Sequence, residues 1–196
     1  MLASIHPLGE RGRGQNYALT VTSYTVGSSV TAAAFGAVLG LLGRLVLTDA
    51  DSARAGILAV AAAIAFGVDR TRWTVPSWHR QVNEDWLADF RGWVYGLGFG
   101  AQLGLGVVTI VTTASVYLTW IGAFVTAGPV LGAVVGLAFG FARAVPVLTA
   151  GSARDPERVS ARVRRVHDWA GNFNAVTLTA EATAGAVAVL GLVILR

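Results

Sequence analysis

The chain contains no cysteine, and this absence excludes disulfide bonds, thiolate metal sites and thiol redox chemistry within its 196 residues. Lysine is absent too, so all fifteen basic residues are arginine. Charged residues make up only 13% of the sequence, against about 25% in a typical soluble domain. So few charges cannot cover a globule in water, which excludes an ordinary soluble domain.

Hydrophobic residues are correspondingly abundant, at 54% of the chain, and they are strung into long runs. A run of about 20 apolar residues is what a helix needs to cross a bilayer. The sequence therefore predicts an all-α polytopic transmembrane helix bundle, a single domain over residues 1–196 with about five spans. The five apolar stretches are Tyr24–Leu47, Ala53–Val68, Trp93–Trp120, Ala123–Leu148 and Phe173–Leu195.

The apolar block Trp93–Leu148 is long enough for two spans. Its aromatic residues Tyr117 and Trp120, with Gly122, predict the turn between these spans. An alternative divides the block into three shorter helices, with breaks near residues 112–115 and at Gly128–Pro129.

The arginines are distributed unevenly among the loops. With five spans, the amino terminus and the segments 69–92 and 149–172 share one side and hold most of the arginines. The positive-inside rule then predicts a multi-pass protein of the inner membrane with a cytoplasmic amino terminus. A sixth span would put the two arginine-bearing loops on opposite sides. The sequence pI of about 10.3 reflects these loop charges, and we expect no nucleic-acid partner.

Both arginine-bearing loops have helical periodicity, near residues 76–92 and 155–170. Trp78, Val82, Trp86 and Phe90 recur at steps of four, which favours amphipathic helices on the membrane surface, where arginine meets anionic headgroups. The alternatives are helices packed on the bundle, or helices that dock other membrane subunits or a second copy of the chain.

Two series of glycines recur every four residues in the third and fourth apolar stretches. This spacing keeps glycines near one face of a helix, so that a neighbouring backbone can approach closely. We expect tight packing between the two helices that carry them. The two glycine ladders are Gly92, Gly96, Gly100 and Gly104, and Gly128, Gly132, Gly136 and Gly140.

The first and fourth spans also resemble each other. Residues 33–44 and 133–143 align with one deletion and end in Arg44 and Arg143. Because five spans make these helices antiparallel, the match is what an inverted repeat would give.

Ionisable groups inside a membrane are costly and often functional. Glu181 is the one carboxylate well within a predicted span, and Arg143 lies at a similar depth, so we expect them to pair. The pair is either a structural salt bridge or part of a transport site. Further polar side chains line the third span and complete a candidate intramembrane site: Gln102, Thr109, Thr112 and Thr113. We find no metal-ligand spacing, cofactor motif or nucleophile–base arrangement, and we do not expect an enzyme.

The stretch Gly128-Pro-Val-Leu-Gly132, followed by Gly140-Phe-Ala-Arg143-Ala-Val-Pro146, resembles the later part of the CcdA/DsbD transmembrane electron carriers. The resemblance covers Gly96 to Pro146, about 50 residues. It implies a scaffold of inverted repeats. That family moves electrons with a pair of membrane cysteines, which this chain lacks, so the resemblance implies a scaffold with a cavity and not that activity.

These observations favour a small transporter-like or carrier-like protein with a polar path near Glu181, Arg143 and the third span. The alternative is a structural or accessory subunit of a membrane complex. The sequence identifies neither a substrate nor a coupling ion.

Overall fold

A computed structural model of the chain describes residues 5, 7–48, 50–77, 85–108, 111–149 and 170–194. Every regular element within those ranges is a helix, so the all-α prediction is confirmed. In chain order the helices are α1 (Pro7–Gly12), α2 (Tyr17–Val46), α3 (Asp51–Thr71), α4 (Trp86–Asp89), α5 (Gly92–Leu105), α6 (Ser115–Val125), α7 (Pro129–Thr149) and α8 (Ala170–Ile194).

Four of these helices, α2, α3, α7 and α8, are long and apolar enough to cross a membrane. Their large apolar side chains also point outward, as lipid-facing residues do. Leu45 is 73% exposed, Val130 74% and Ile194 82%. Exposure of this extent would favour aggregation in water and is normal in contact with lipid.

The predicted third span folds as two short helices, α5 and α6. Gly92 and Gly104 of α5 lie beside Thr20 and Ser28 of α2 respectively, so the two helices are parallel. Helix α6 continues in the same direction, because its Phe124 reaches Gly43 near the far end of α2. Four helices are thus long enough to span, and a fifth span made of α5 and α6, broken in the middle, stays a prediction.

The break between α5 and α6 corrects one sequence-based expectation. A turn was expected at Tyr117, Trp120 and Gly122, but all three lie inside α6. The alternative with three helices and breaks near residues 112–115 and 128–129 is the one found. Helix α5 ends at Leu105, and its C-cap residue Gly106 has a φ of +72°, which is favourable only for glycine.

The helix directions place several helix ends on one side. Gly185 and Gly191 of α8 lie beside Ala62 and Ala55 of α3, so this pair is antiparallel. Helix α7 is antiparallel to α2, since Gly132 faces Gly36 and Gly140 faces Ser28. Hence α3 and α7 end, and α5 and α8 begin, on the side where α2 begins. We call this the amino-terminal side.

Both glycine ladders pack against α2 and not against each other, which corrects the pairing expected from the sequence. Helix α2 lies between α5 and α7 and contacts each far more extensively than those two contact one another. A Cβ atom added at Gly100 or Gly136 would lie within 3.0 Å of α2 backbone atoms. Gly128 differs within its ladder, because a Cβ added there would meet only Thr126, although the carbonyl of Gly128 lies against Gly40 of α2. Helix α2 supplies glycines of its own to these contacts: Gly27, Gly36, Gly40 and Gly43.

The antiparallel packing of α2 on α7 agrees with the direction required by the proposed internal repeat. Gly36 and Gly132 approach each other reciprocally, each with its missing Cβ directed at the other's carbonyl. A repeat that extends over the other spans stays a prediction.

The described part of the loop near residues 76–92 contains a single short helix, α4. Its Trp86 stacks on Phe99 of α5, with ring centroids 6.0 Å apart, and lies edge-on to Phe90. Trp86 therefore packs on the bundle. Trp78 and Val82 lie outside the described residues, as do residues 155–169 of the amphipathic helix expected at 155–170.

Candidate functional site

Two carboxyl groups are buried together where α3, α6 and α8 meet. Glu181 of α8 is 1% exposed and Asp69 of α3 is 7% exposed. Gly185 lies against Ala62 and Gly191 against Ala55, so this register places Glu181 opposite residue 66 of α3. Asp69 lies three residues further along α3, within reach of the Glu181 side chain. The two carboxyl groups are close enough to interact electrostatically. We call them the carboxyl pair.

The carboxyl pair has few hydrogen-bond donors. One oxygen of Asp69, Oδ1, accepts the backbone N–H of Ala114 at 2.8 Å. The other, Oδ2, has no partner among the described residues, and neither do Oε1 and Oε2 of Glu181. Three buried oxygens thus lack a donor in the part of the chain that the structure covers.

Asp69 sits at the amino terminus of α6. Ala114 is the N-cap residue of α6 and offers no capping side chain of its own. The carboxylate of another helix takes that place, where the helix dipole favours negative charge. The broken span is thereby joined to α3 at the point where α6 begins.

The ion pair expected between Glu181 and Arg143 is not among the salt bridges of the described residues. The guanidinium of Arg143 lies 5.4 Å from the ring centroid of Phe139 on its own helix, and it interacts with Tyr24 of α2. The reason is helix packing, because α7 contacts α2 while α8 contacts α3. Similar depth in the membrane was not enough to bring the two charges together.

The polar residues expected on the third span do not converge on Glu181 as a group. Gln102 is half-buried in α5, and Thr112 is exposed in the break. Thr113 and Ser115 share a hydrogen bond of 2.7 Å beside Ala114. Thr109 lies outside the described residues.

The threonines around Glu181 do not supply its missing donors. Thr179 donates to the carbonyl of Ala175 at 2.8 Å, and Thr183 donates to that of Thr179 at 2.7 Å. Both hydroxyl hydrogens are therefore used within α8.

A second buried carboxylate, Glu10 of α1, was missed from the sequence. It is fully buried and accepts hydrogen bonds from Tyr95, from Arg13 and, at 2.7 Å, from Thr20. Burial alone would lower the pKa of Arg13, but hydrogen bonds to Glu10 and Tyr95 raise it above the usual arginine value. The four side chains tie α1 to α2 and α5 at the amino-terminal side.

Helix α1 is also held by apolar contacts. Ile5, just before it, is fully buried in a cluster with Tyr24 and Val147. Gln15, just after it, accepts the N–H of Gly92 at 2.9 Å through its side chain. The segment around α1 therefore covers the end of the α2, α5 and α7 packing unit.

Hydropathy and residue spacing single out neither Asp69 nor Glu10. Asp69 directly follows the apolar run that ends at Val68, and its position was read as the start of a loop. Glu10 lies in a polar stretch before the first span. A helix continued by one more turn past Val68 would have placed Asp69 inside α3.

An apolar cavity of about 740 Å³ opens between α3 and α6. Val60, Ile64 and Leu118 are among its lining residues, and Ala65, Val68 and Ala114 bring it up to the carboxyl pair. Tyr117 closes one end by donating its hydroxyl to the carbonyl of Pro76. No group of three metal-ligating side chains occurs within the described residues.

Comparison with known proteins gives one family and one curated relative. The family model described as cytochrome c biogenesis protein transmembrane region matches residues 3–191. The methylamine utilization protein MauF of Methylophilus methylotrophus is 28% identical over 151 residues, which are 74% of this chain and 53% of MauF. The chain thus spans about half the length of that relative. No solved structure matches.

Proposed function

Since the chain belongs to the family of cytochrome c biogenesis transmembrane regions, as the CcdA/DsbD resemblance implied, we propose that it is a membrane carrier that works without thiols. It is a polytopic membrane protein, and the absence of cysteine rules out a carrier based on its own thiols. We place it in the inner membrane with its amino-terminal side cytoplasmic, because that side receives the arginine-bearing segments.

The observation that carries the proposal is the break in the third span beside a buried carboxyl pair. Transporters commonly bind substrate and coupling ion where membrane helices are discontinuous, because free backbone groups and helix ends are available there. Irregular backbone at membrane depth is tolerated only where protein or a cavity surrounds it. Here the break lies between α2 and α3, and Asp69 touches its end.

A side-chain hydrogen bond also links the two helices that flank the break. Trp120 of α6 donates its indole N–H to the carbonyl of Leu105, the last residue of α5, at 3.1 Å. One side chain thus joins the two half-helices across the break. Such a link fixes the end of α5 against α6 on the two sides of the break.

Single-cysteine accessibility tests whether the break is reached alternately from both sides of the membrane. Because the natural chain lacks cysteine, it is the unreactive blank, and Thr113→Cys places a thiol in the break. A membrane-impermeant maleimide is applied to right-side-out and to inside-out vesicles. A carrier predicts that Thr113→Cys reacts in both preparations.

Two exposed positions calibrate that experiment. Ser52→Cys, at the start of α3, and Thr74→Cys, just past its end, lie on opposite sides of the bundle. We expect Ser52→Cys to react only in right-side-out vesicles and Thr74→Cys only in inside-out ones. Reaction of Thr113→Cys from one side only, or from neither, would rule out alternating access.

A second candidate is an accessory subunit, and the outer faces of α3 and α8 favour it. Ala63 and Gly67 on α3 and Ala182 and Ala186 on α8 are exposed, and nothing lies within 4 Å of a Cβ built at Gly67. Small residues permit close helix packing in membranes. Disulfide formation between copies that carry Gly67→Cys, in native membranes, would support a homo-oligomer joined through α3.

A further inference from the structure

Glu181 is almost completely buried, and yet its carboxyl oxygens accept no hydrogen bond among the described residues. The oxygen Oδ2 of Asp69 lies in the same junction and is also buried without a hydrogen-bond partner among the described residues. If both groups were ionised, two negative charges would lie close together in an apolar junction. Among the described residues, their one hydrogen-bond donor would be the backbone N–H of Ala114. Two ionised carboxyl groups in such a place repel each other, and one proton bound between them would remove that repulsion.

No positive group in the described part of the chain relieves this arrangement. Helix α8 contributes Glu181 as its sole charged side chain, and α6 contributes none. On α3 and its C-cap, the charged neighbours of Asp69 are Arg70 and Arg72, both of which are exposed. Asp51 and Arg54 pair with each other at the opposite end of α3. The nearest titratable group on α6, Tyr117, points its hydroxyl to Pro76.

A dehydrated metal cation fits the junction less well than a proton does. A hard cation such as Ca²⁺ takes six or more oxygen ligands, whereas the carboxyl pair has three free oxygens. The hydroxyl groups of Thr179 and Thr183 are engaged with backbone carbonyls of α8. One proton requires two oxygens only, because it converts one of them from an acceptor into a donor.

We propose that Asp69 and Glu181 form a proton-binding site in which one proton is shared between the two carboxyl groups. Protonation from water takes the pair from two negative charges to one and creates an O–H···O hydrogen bond between α3 and α8. Release of the proton to water breaks that bond. The inference that the carrier couples to protons rests on the proposed function. The existence of the proton site does not.

The helix that responds to the proton is α8. Asp69 remains bound to the N–H of Ala114 in either state, so α3 stays joined to α6. The buried part of α8 contacts mainly α3. When both carboxyl groups are ionised, their repulsion therefore separates α8 from α3 around Glu181.

Infrared spectroscopy of the purified full chain tests the proton directly. We expect a protonated-carboxyl C=O band at pH 7 that is lost in Glu181→Gln and also in Asp69→Asn. Asp51→Asn is the control, because Asp51 is exposed and paired with Arg54, and it should keep the band. The wild-type spectrum tests the proposal even if a variant fails to fold, because absence of the band between pH 5 and pH 8 would overturn it. Loss of the band in only one of the two variants would overturn sharing.

A disulfide trap tests the response of α8. A Cβ at Gly185 would lie 3.4 Å from the Cβ of Ala62, close to the usual spacing in a disulfide. Ala62→Cys with Gly185→Cys should cross-link severalfold less completely at pH 9 than at pH 6, and Glu181→Gln should abolish that difference. The pair Ala55 and Gly191, where the corresponding distance is 3.8 Å, corrects for thiol ionisation. Equal corrected yields at both pH values would refute the motion.

The two proposals can fail separately. If the infrared band behaves as expected but Thr113→Cys reacts from one side only, the proton site stands and the carrier function is wrong. If Thr113→Cys reacts from both sides and no protonated carboxyl is found, the carrier stands with another coupling ion or none.

Discussion

The molecule has two differently built regions, the unit formed by α2, α5 and α7 and the pair formed by α3 and α8. In the most apolar stretch of α2 and of α7, 28% of residues are buried, against 11% in α3 and in α8. The first region brings backbones together through glycines, as at Gly36 and Gly132. The second makes ordinary side-chain contacts, as between Ala62 and Gly185. A backbone-to-backbone fit tolerates little displacement, so the α3–α8 pair is the region that can move.

The same contrast appears in two buried glutamates. Glu10, which anchors α1 to the first region, has three side-chain donors. Glu181, in the second region, has none among the described residues. A satisfied buried carboxylate fixes structure, whereas an unsatisfied one must bind something or change its charge. The first region therefore holds the scaffold and the second holds the site.

The largest effect that this comparison predicts is on stability when a glycine of the first region is enlarged. Gly136→Leu forces α7 away from α2, because a Cβ there already overlaps the backbone around Ala32. We expect a loss of at least about 3 kcal/mol, the upper part of the range for overpacking. Thermal unfolding in detergent measures it.

The matched control is Gly67→Leu on α3, where nothing lies within 4 Å of an added Cβ. It should unfold close to the parent. If Gly136→Leu and Gly67→Leu unfold alike, the glycine contacts do not distinguish the two regions.

The sequence predicts the spans well because lipid imposes a length and a composition on each of them. It also reveals the two glycine ladders, because a spacing of four residues can be recognised within a single helix. It does not show which helix each ladder meets, because α2 presents glycine to both α5 and α7. Partner choice depends on three-dimensional packing, which no single-helix pattern contains.

For a related reason, the sequence identifies only one member of the carboxyl pair. Glu181 stands out because a carboxylate within an apolar run is rare. Its partner Asp69 does not, because the boundary of α3 was set by hydropathy and the helix continues past Val68 to Thr71. Arg143 was chosen by depth alone, and depth leaves the angular position around the bundle open.

The second effect concerns Glu10. Glu10→Ala removes the acceptor for Tyr95, Thr20 and Arg13 and leaves buried donors unpaired. We expect a loss of about 2–3 kcal/mol, since hydrogen bonds to charged groups are worth about 1.5–3 kcal/mol. Thermal unfolding again measures it, with Tyr95→Phe, which removes a single donor, as the smaller companion change. A Glu10→Ala variant as stable as the parent would show that α1 is not anchored through this carboxylate.

The third effect has the opposite sign. Glu181→Gln removes an unpartnered carboxyl and adds an amide that can donate to Asp69, so unfolding should occur at the same temperature or higher. The gain should be about 1 kcal/mol, the net value of one hydrogen bond. It should grow as the pH rises, because the proposed shared proton leaves the parent's carboxyl pair at high pH while the amide does not titrate. A clear destabilisation at pH 9 would mean that the two glutamates are equivalent and that the contrast between the regions is wrong.

The smallest expected effect is a coupling close to zero between Arg143 and Glu181, the two charges that the sequence paired. Arg143 belongs to the first region, over Phe139, and Glu181 belongs to the second, beside Asp69. Residues without a shared partner normally contribute additively within about 0.3–0.5 kcal/mol. The variants Arg143→Gln and Glu181→Gln and their combination should therefore add when their thermal stabilities are compared. The double variant could instead be markedly more stable than the sum of the two single effects predicts. Each single variant would then retain an uncompensated charge that the second substitution removes, and α7 and α8 would meet in the membrane. Since α7 packs on α2 and α6 whereas α8 packs mainly on α3, we expect that no such compensation is measured.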